Sequence, residues 1–327
     1  MPPRYRDAAA GVRRRHYDRR VSETTPQACI LAVDLGGTKV EAALVRDGVI
    51  LEGTRHRTPT GRAADATALT AAVRETVKRT LASAPADARV DGAGIGSAGP
   101  LDRDAGTISP LNLPVTDFPL AAVVADVVGD DVPVTLALDG TCIALAEARY
   151  GAARDADSSV CMVVSTGVGG GIVLGGRMLA GDSGNAGHIG QVRLTPSRSV
   201  TSAREDTLEE IASGPASVRW ARTQGWTGET GEDLSRDAAA GDETARAAIV
   251  RSATAVGQAI ASVGALLDVR RYVIGGGFSF VSDDYVHLVQ EAARAAAVLP
   301  TSRASEVVRA ELGGDAPLVG AACLATP

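Results

Sequence analysis

The amino-acid sequence predicts an α/β protein built from two similar halves with a cleft between them. Each half opens with strands joined by glycine-rich turns, at residues 29–53 and again at residues 158–181. Segments with the 3.6-residue period of amphipathic helices follow each opening. The length of 327 residues suits two packed units. Because a cleft between such halves is a natural place for a ligand, we expect the functional site there.

The first half alternates short apolar runs, which predict strands, with helix-period segments. The predicted strands are 29–35, 39–45, 49–56, 90–99 and 133–139, and the predicted helices are 63–84, 118–129 and 140–153. The second half continues with helices predicted at 207–225, 242–267, 283–298 and 317–325 and a buried strand within 270–280. The repeated opening indicates an internal duplication at the level of structure.

Composition excludes several classes of protein. The net charge of −6 is wrong for a general nucleic-acid binder, and no apolar run approaches the roughly 18 residues of a membrane span. The four cysteines form no CxxC pair, and the arginine-rich start has no apolar signal segment. We expect a cytoplasmic protein whose residues 1–28 form a disordered arm, with a small anion-binding arm as the less favoured alternative.

The turn Asp34–Lys39 has the composition of a phosphate site. Gly36 and Gly37 let backbone N–H groups approach an anion, and Thr38 and Lys39 add further donors. A carboxylate at Asp34 fits a hydrated Mg²⁺ held against phosphate oxygens. The alternative is an ordinary hairpin turn. The phosphate site is favoured because Lys39 is one of only two lysines in the chain.

A second turn, residues 165–171, has the same character. It holds Thr166 and four glycines, which would cost backbone entropy in a strand kept only for packing. Two such turns facing each other would clamp a polyphosphate from both sides. Neither turn has Walker A spacing. The GxGxxG pattern at 94–99 is followed by Pro100 rather than by a helix, which disfavours a dinucleotide site.

Two titratable residues are candidates for chemistry. Asp139 lies between a predicted strand and a predicted helix, where it could cap the helix, act as a general base in the cleft, or do both. His188 lies among small residues in a loop and taken alone is more typical of a structural residue.

The motifs, in their order, resemble the ROK family of sugar kinases over residues 29–327. They are DLGGTK, GIGSAGPLD, LNLP, STGVGGGIV, GNAGHIG, EEIASG and VIGGG. The resemblance implies an actin-like ATPase (ribonuclease H-like) two-domain fold with an interdomain cleft. It also implies MgATP as phosphate donor, transfer to a hexose hydroxyl, usually at C6, and a homodimer. The expected domains are 29–150 plus 313–327 and the larger 151–312.

The resemblance also implies roles for individual residues. It assigns the first phosphate loop to Asp34, Gly36, Gly37, Thr38 and Lys39, the second to Thr166, Gly167 and Gly169, the glycines beside the adenosine to Gly275, Gly276 and Gly277, the catalytic base to Asp139, and sugar contacts to Asn112, His188 and Glu209.

The sequence departs from the family pattern at the sugar pocket and at a zinc motif. The positions of the four usual zinc ligands hold Gln191, Val200, Ser202 and Thr207, so we expect no zinc. Leu138 replaces the asparagine that precedes the base. His188 stands where most glucose-specific members have glutamate. A histidine at this position resembles the pattern of N-acylmannosamine kinases.

The expected substrate is therefore a modified hexose or a sugar-like ring. Candidates are an N-acylmannosamine, kanosamine, or a C7-cyclitol with an exocyclic CH₂OH group, and ordinary glucose stays open. The bias toward Ala, Gly and Arg is typical of an actinobacterial gene, which suggests a place in antibiotic biosynthesis. Alternatives of another class are a ROK transcriptional regulator, disfavoured by the 28 residues before the fold, and a sugar-binding pseudokinase.

Overall fold

The structure is a computed structural model that describes residues 27–61, 63–194 and 206–325. The elements of the first half are β1 (Gln27–Leu35), β2 (Lys39–Arg46), β3 (Val49–Ile50), β4 (His56–Pro59), α1 (Ala66–Ala82), β5 (Ala88–Ser97), β6 (Leu101–Asp102), β7 (Thr107–Ile108), α2 (Leu120–Val128), β8 (Val134–Leu138) and α3 (Asp139–Tyr150).

The elements of the second half are β9 (Ser159–Val164), β10 (Val168–Leu174), β11 (Arg177–Met178), α4 (Leu208–Ala212), α5 (Gly214–Thr223), α6 (Gly231–Ala239), α7 (Glu243–Leu267), β12 (Arg271–Gly275), α8 (Tyr285–Ala296), α9 (Pro300–Arg303), β13 (Glu306–Arg309) and α10 (Ala316–Ala325). Short 3-10 turns lie at Ile189–Gln191, Gly277–Phe280 and Gly313–Asp315.

Two sheets built on the same plan confirm the α/β prediction. The first sheet has the order β3-β2-β1-β5-β8, with β4 also paired to β2, and the second has the order β11-β10-β9-β12-β13. In each sheet an antiparallel hairpin, β1–β2 or β9–β10, adjoins strands that run parallel to its first member. The carboxyl ends of those parallel strands are where such sheets bind ligands.

Helices α3 and α10 lie between the two sheets. Ala144 of α3 is buried with Cys161 and Val273 of the second sheet, whereas Leu318 and Ala321 of α10 are buried against the first sheet. The two helices cross closely, because a Cβ added to Gly320 of α10 would overlap backbone of α3. The contact between these helices therefore joins the two sheets.

Among the described residues, α7 is the one helix long and apolar enough to cross a membrane, and half of its most apolar window is buried. Ile249, Val256 and Ile260 of this helix have no exposed surface and belong to the core of the second half. Such packing is typical of a core helix in a folded domain.

The structure corrects some predicted elements. The helix predicted at 207–225 is two helices, α4 and α5, because the chain bends at Ser213, whose Oγ accepts the Ala216 N–H at 3.4 Å and starts a new helix. Of the strand predicted at 49–56, only β3 (Val49–Ile50) and His56, the first residue of β4, form strand, and residues 51–55 do not. Helix α6, strand β13 and the β6–β7 hairpin are not apparent in the sequence pattern.

Candidate active site

Two carboxylates, Asp34 and Asp139, lie at the carboxyl ends of parallel strands in the first sheet. Asp34 is near the end of β1, and Asp139 directly follows β8. Strand β5 runs between them, with Gly96 paired to Asp34. Burial and then the negative charge of Asp139 raise the pKa of Asp34 to about 7. The two carboxylates therefore interact at the edge of the sheet where a ligand is expected.

Asp139 is the first residue of α3, and Leu138 occupies the N-cap position. Of the alternatives left open for Asp139, the one in which it is the N-cap of this helix is therefore wrong. Its Oδ1 accepts the backbone N–H of Gly140 at 2.6 Å. Burial raises the pKa of Asp139, while the Gly140 N–H and the nearby charge of His188 oppose that rise. A carboxylate with a raised pKa is a stronger base, as a general base requires.

The first glycine turn, residues 34–39, is a tight turn between β1 and β2. The N–H of Gly36 donates to the Lys39 carbonyl oxygen at 3.0 Å, and Thr38 is exposed. A Cβ on Gly37 would lie 2.5 Å from Nδ2 of Asn112, so a larger side chain would displace that amide. The structure thus brings Asn112, a predicted sugar contact, directly to the first glycine turn.

Lys39 is held by a buried carboxylate, Glu41, that nothing in the sequence pattern marks as part of the site. Its Nζ lies 2.5 Å from Oε2 of Glu41, which is only 3% exposed. Arg55 and Arg57 also donate to Glu41. Burial alone would raise the pKa of Glu41, but the hydrogen bonds from these three cations lower it to about 2. Glu41 is therefore ionised over the working pH range and fixes Lys39 beside Asp34.

Of the second glycine turn, residues 165–167 join β9 to β10, and residues 168–171 are the first residues of β10. The N–H of Ser165 donates to the Gly167 carbonyl oxygen at 2.8 Å, and Thr166 is exposed. Glu209 of α4 lies against this turn, because its Oε2 accepts the Val168 N–H at 2.9 Å. Space around the position of a Cβ on Gly169 is open within 4 Å. Glu209, predicted as a sugar contact, is thus held at the second glycine turn.

The start of α3, which carries Asp139, and the second glycine turn meet at a contact between glycines. A Cβ on Gly140 of α3 would lie 2.5 Å from the carbonyl oxygen of Gly170 in β10. The start of α3, with Asp139, therefore rests on the strand that leaves the second glycine turn. This close approach requires the absence of a side chain on Gly140, and also on Gly171, where a Cβ would lie 2.6 Å from the Gly140 carbonyl oxygen.

Gly275 ends β12, and Gly276 and Gly277 follow it next to the second glycine turn. Gly276 has φ +90°, and a Cβ there would overlap the Val164 carbonyl group. Gly277 borders a cavity of about 820 Å³. Its lining includes Thr166, Pro215, Val218, Gly277, Phe278 and Phe280. Charged side chains such as Arg219, Arg222 and Glu232 also line it, and a cavity of this volume beside the second glycine turn has room for a nucleoside.

His188 is exposed and lies near the base. A Cβ on Gly99 would approach His188 Nε2 to 3.0 Å and Leu138 Cδ2 to 2.5 Å, so these three residues adjoin one another. The charge of His188 also acts on Asp139. His188 and Leu138, where the sequence departs from the family pattern, therefore occupy one corner of the site.

Two metal predictions bear on this site. Asp34 and Asp139 offer oxygen ligands, which Mg²⁺ prefers, and their mutual repulsion would be relieved by a cation. For zinc, the described residues contain no group of three or more His, Cys, Asp or Glu side chains suited to a metal. Gln191 is hydrogen-bonded to Glu209 at 3.4 Å and Thr207 caps α4, whereas Val200 and Ser202 lie outside the described residues. The absence of zinc stays a prediction.

Comparison with known proteins identifies the family. The sequence profile described as ROK family matches residues 30–327. A bifunctional enzyme NanE/NanK of Brucella melitensis is 35% identical over 93% of this chain, which spans 55% of that relative, about half its length. An N-acetylmannosamine kinase of Haemophilus influenzae is 31% identical over 89% of this chain and 93% of its own.

Among solved structures, a ROK family glucokinase from Streptomyces griseus, crystallised with glucose and AMPPNP, superposes with a TM-score of 0.74. It is 30% identical, and the match covers 91% of this chain and 99% of that chain. These neighbours confirm the predicted actin-like fold. The motifs, the fold and the profile agree, and the chain belongs to the ROK family.

Proposed function

We propose that this protein is an ATP-dependent sugar kinase that transfers the γ-phosphate to a primary hydroxyl of a hexose or sugar-like ring. The observation that carries this proposal is the interaction of Asp34 with Asp139 beside the two glycine turns. The similarity to sugar kinases over about nine-tenths of the chain supports the same activity.

The two glycine turns would bind the phosphates. Their backbone N–H groups and the exposed hydroxyls of Thr38 and Thr166 suit a polyanion, and Lys39 adds positive charge. The cavity beside Gly277 would take the nucleoside, which places the triphosphate toward Asp139. Asp34 would hold Mg²⁺ through water, and the metal would neutralise charge on the phosphate oxygens.

Asp139 would act as the general base. As the sugar oxygen attacks the γ-phosphorus, its proton passes to the Asp139 carboxylate, the P–O bond to the β-phosphate breaks, and ADP leaves with that electron pair. Burial favours this transfer because it raises the pKa of Asp139. The products are a sugar phosphate and ADP.

We assign residues 29–150 with 313–327 to a smaller domain and residues 151–312 to a larger one, with the substrates between them. Closure of the two would exclude water, which otherwise competes as phosphate acceptor. We also propose a cytoplasmic homodimer without nucleic-acid or membrane partners. Neither zinc nor any cofactor beyond ATP and Mg²⁺ is part of the proposal.

The proposed acceptor is an N-acylmannosamine. His188 and the apolar Leu138 meet near Asp139, a corner that differs from the glucose-specific pattern, while Asn112 and Glu209 lie at the two turns. The named N-acetylmannosamine kinase relatives support the same acceptor. Kanosamine and a C7-cyclitol are alternatives for a modified substrate, and glucose is the unmodified one.

A pseudokinase or a transcriptional regulator is the competing class. Either would bind sugar without phosphorylating it. The combination of Asp34, Lys39 and Asp139 favours the kinase, because sugar binding alone needs neither a phosphate-side lysine nor a base.

An ADP-coupled assay with MgATP tests the proposal. The panel is N-acetylmannosamine, glucose, kanosamine and a valiolone-type cyclitol. We expect turnover with N-acetylmannosamine and a selective rise of its KM in His188→Ala, with the exposed His287→Ala as control. Turnover with glucose and with no other sugar would contradict the proposal that the acceptor is an N-acylmannosamine. If every sugar bound without being phosphorylated, the proposed kinase activity would be contradicted.

A further inference from the structure

Glu147 is a buried carboxylate near the end of α3 that binds backbone from two distant parts of the chain. Its side chain has no exposed surface. Oε2 accepts the Ala152 N–H at 2.9 Å and the Glu311 N–H at 3.1 Å, and Oε1 accepts the Leu312 N–H at 2.9 Å. A buried charge needs such donors, and here all three are backbone groups.

The two segments that Glu147 binds are the two passages between the sheets within the described residues. Residues 151–158 lead from α3 to β9 and so enter the second sheet, and residues 310–315 lead from β13 to α10 and so return to the first. The bonded residues follow Glu147 in the chain, by 5 positions in the first segment and by 164 and 165 positions in the second. We call residues 151–158 and 310–315 the two crossings, and the Glu147 carboxylate is hydrogen-bonded to both of them.

Glu147 and Asp139 lie on the same helix. They are eight residues apart, about 12 Å along α3. At the Asp139 end the helix rests on Gly170 of the second glycine turn, through Gly140. At the Glu147 end it is bound to both crossings. Helix α3 packs on the second sheet and α10 on the first, so Glu147 binds both crossings beside the helices that join the two sheets.

We propose that Glu147 is a positioning residue for phosphoryl transfer. Its carboxylate holds the two crossings as a fixed pivot and so places Asp139 against the second glycine turn when the cleft closes. This inference rests on the proposed kinase function. It assigns to Glu147 no contact with substrate.

A second link between the same crossings supplies a control. Arg154 Nη1 and Glu311 Oε2 form an ion pair at 2.7 Å, with side chains 60% and 53% exposed. An exposed pair of this kind contributes little stability. Arg154→Ala therefore cuts a link between the same two segments without touching the buried carboxylate.

Glu147→Gln is the test. The amide keeps the shape of the side chain but has one acceptor oxygen, and its NH₂ group would face a backbone N–H. We expect kcat to fall about tenfold, because a small displacement of a catalytic group is costly. We also expect ATP hydrolysed per sugar phosphorylated to rise severalfold, because a loosened cleft admits water. The kcat and the hydrolysis ratio are measured well below the melting midpoint of the variant. We expect Arg154→Ala to leave both quantities at their wild-type values.

The ratio of hydrolysis to sugar phosphorylation separates positioning from simple loss of stability, since a lower fraction of folded enzyme reduces both rates equally. A folded Glu147→Gln with the wild-type kcat and ratio would overturn the proposal, as would an equal change in Arg154→Ala. If the glutamine variant does not fold, Glu147→Asp retains the charge but is one methylene shorter. The same two changes are expected of it, and wild-type behaviour would again overturn the proposal.

Hydrogen exchange tests the pivot independently of catalysis, should the protein phosphorylate no sugar in the panel. Glu147→Gln is expected to accelerate exchange at Ala152, Glu311 and Leu312 together. Faster exchange in one crossing with the other unchanged would show that the carboxylate does not join them, and would overturn the proposal while leaving the kinase assignment to the activity assay.

Discussion

Asp34 and Asp139 lie so close across the first sheet that the charge of Asp139 adds to burial in raising the pKa of Asp34 to about 7. The residues belong to β1 and to the start of α3, which are more than 100 positions apart in the chain. Two neighbouring carboxylates in this setting resist full ionisation without a cation. This arrangement suits a site in which Asp34 lies near a metal ion and Asp139 accepts a proton.

Replacement of Asp139 by asparagine tests the assignment of the base. Asp139→Asn is nearly isosteric but accepts no proton at neutral pH, so we expect kcat to fall by about 10³-fold. Sugar and nucleotide binding, measured by calorimetry, should be retained. The control is Asp131→Asn, an exposed position in the loop before β8. Turnover near the wild-type level in Asp139→Asn would rule out this base.

Glu41 should stabilise the fold in a pH-dependent way. Its pKa of about 2 lies below the usual 4.5, so its contribution is full above pH 4.5 and is lost as the pH falls toward 2. We expect Glu41→Gln to lower the free energy of unfolding at pH 7 by about 2 kcal/mol. The difference from wild type should shrink at pH 3 in urea unfolding.

The exposed Glu75→Gln on α1 is the control for Glu41→Gln and should unfold like wild type at both pH values. Because Glu41 holds Lys39, the KM for ATP should also rise in Glu41→Gln and not in the control. A pH-independent loss of stability would contradict the ionised network.

Metal removal should separate catalysis from folding. EDTA is expected to stop phosphoryl transfer, and Mg²⁺ alone should restore it, because the proposed metal lies between phosphates and Asp34. A zinc-selective chelator should leave the far-UV circular dichroism and the melting midpoint unchanged. Unfolding on zinc chelation would show a structural zinc site and contradict the prediction made from Gln191, Val200, Ser202 and Thr207.

The core strands could be predicted from the sequence because buried apolar runs ended by glycine have few other structures available. This holds for β1, β2, β9 and β10 and for the turns between them. The break between α4 and α5 could not be predicted from the sequence, because the helical period continues through Ser213. The helix is interrupted only because the Ser213 side chain caps α5. Strand β13 is short and is defined by pairing with β12 rather than by its own pattern.

In the candidate site, the glycine turns and Asp139 stand out in the sequence, whereas Glu41 and Glu147 do not. Each is a carboxylate whose partners are supplied by the fold, Arg55 for Glu41 and residues more than 160 positions away for Glu147. The residues next to such a glutamate in the sequence do not distinguish it from a glutamate exposed to solvent. The contact of Gly140 with Gly170 is likewise visible only when the two halves are packed together.

The most direct measurement of the central claim is a crystal structure with Mg²⁺, AMPPNP and the best acceptor. We expect the triphosphate between residues 34–39 and 165–171, the nucleoside in the cavity beside Gly277, and the acceptor hydroxyl within hydrogen-bond distance of Asp139. A triphosphate bound away from both glycine turns would contradict the central claim.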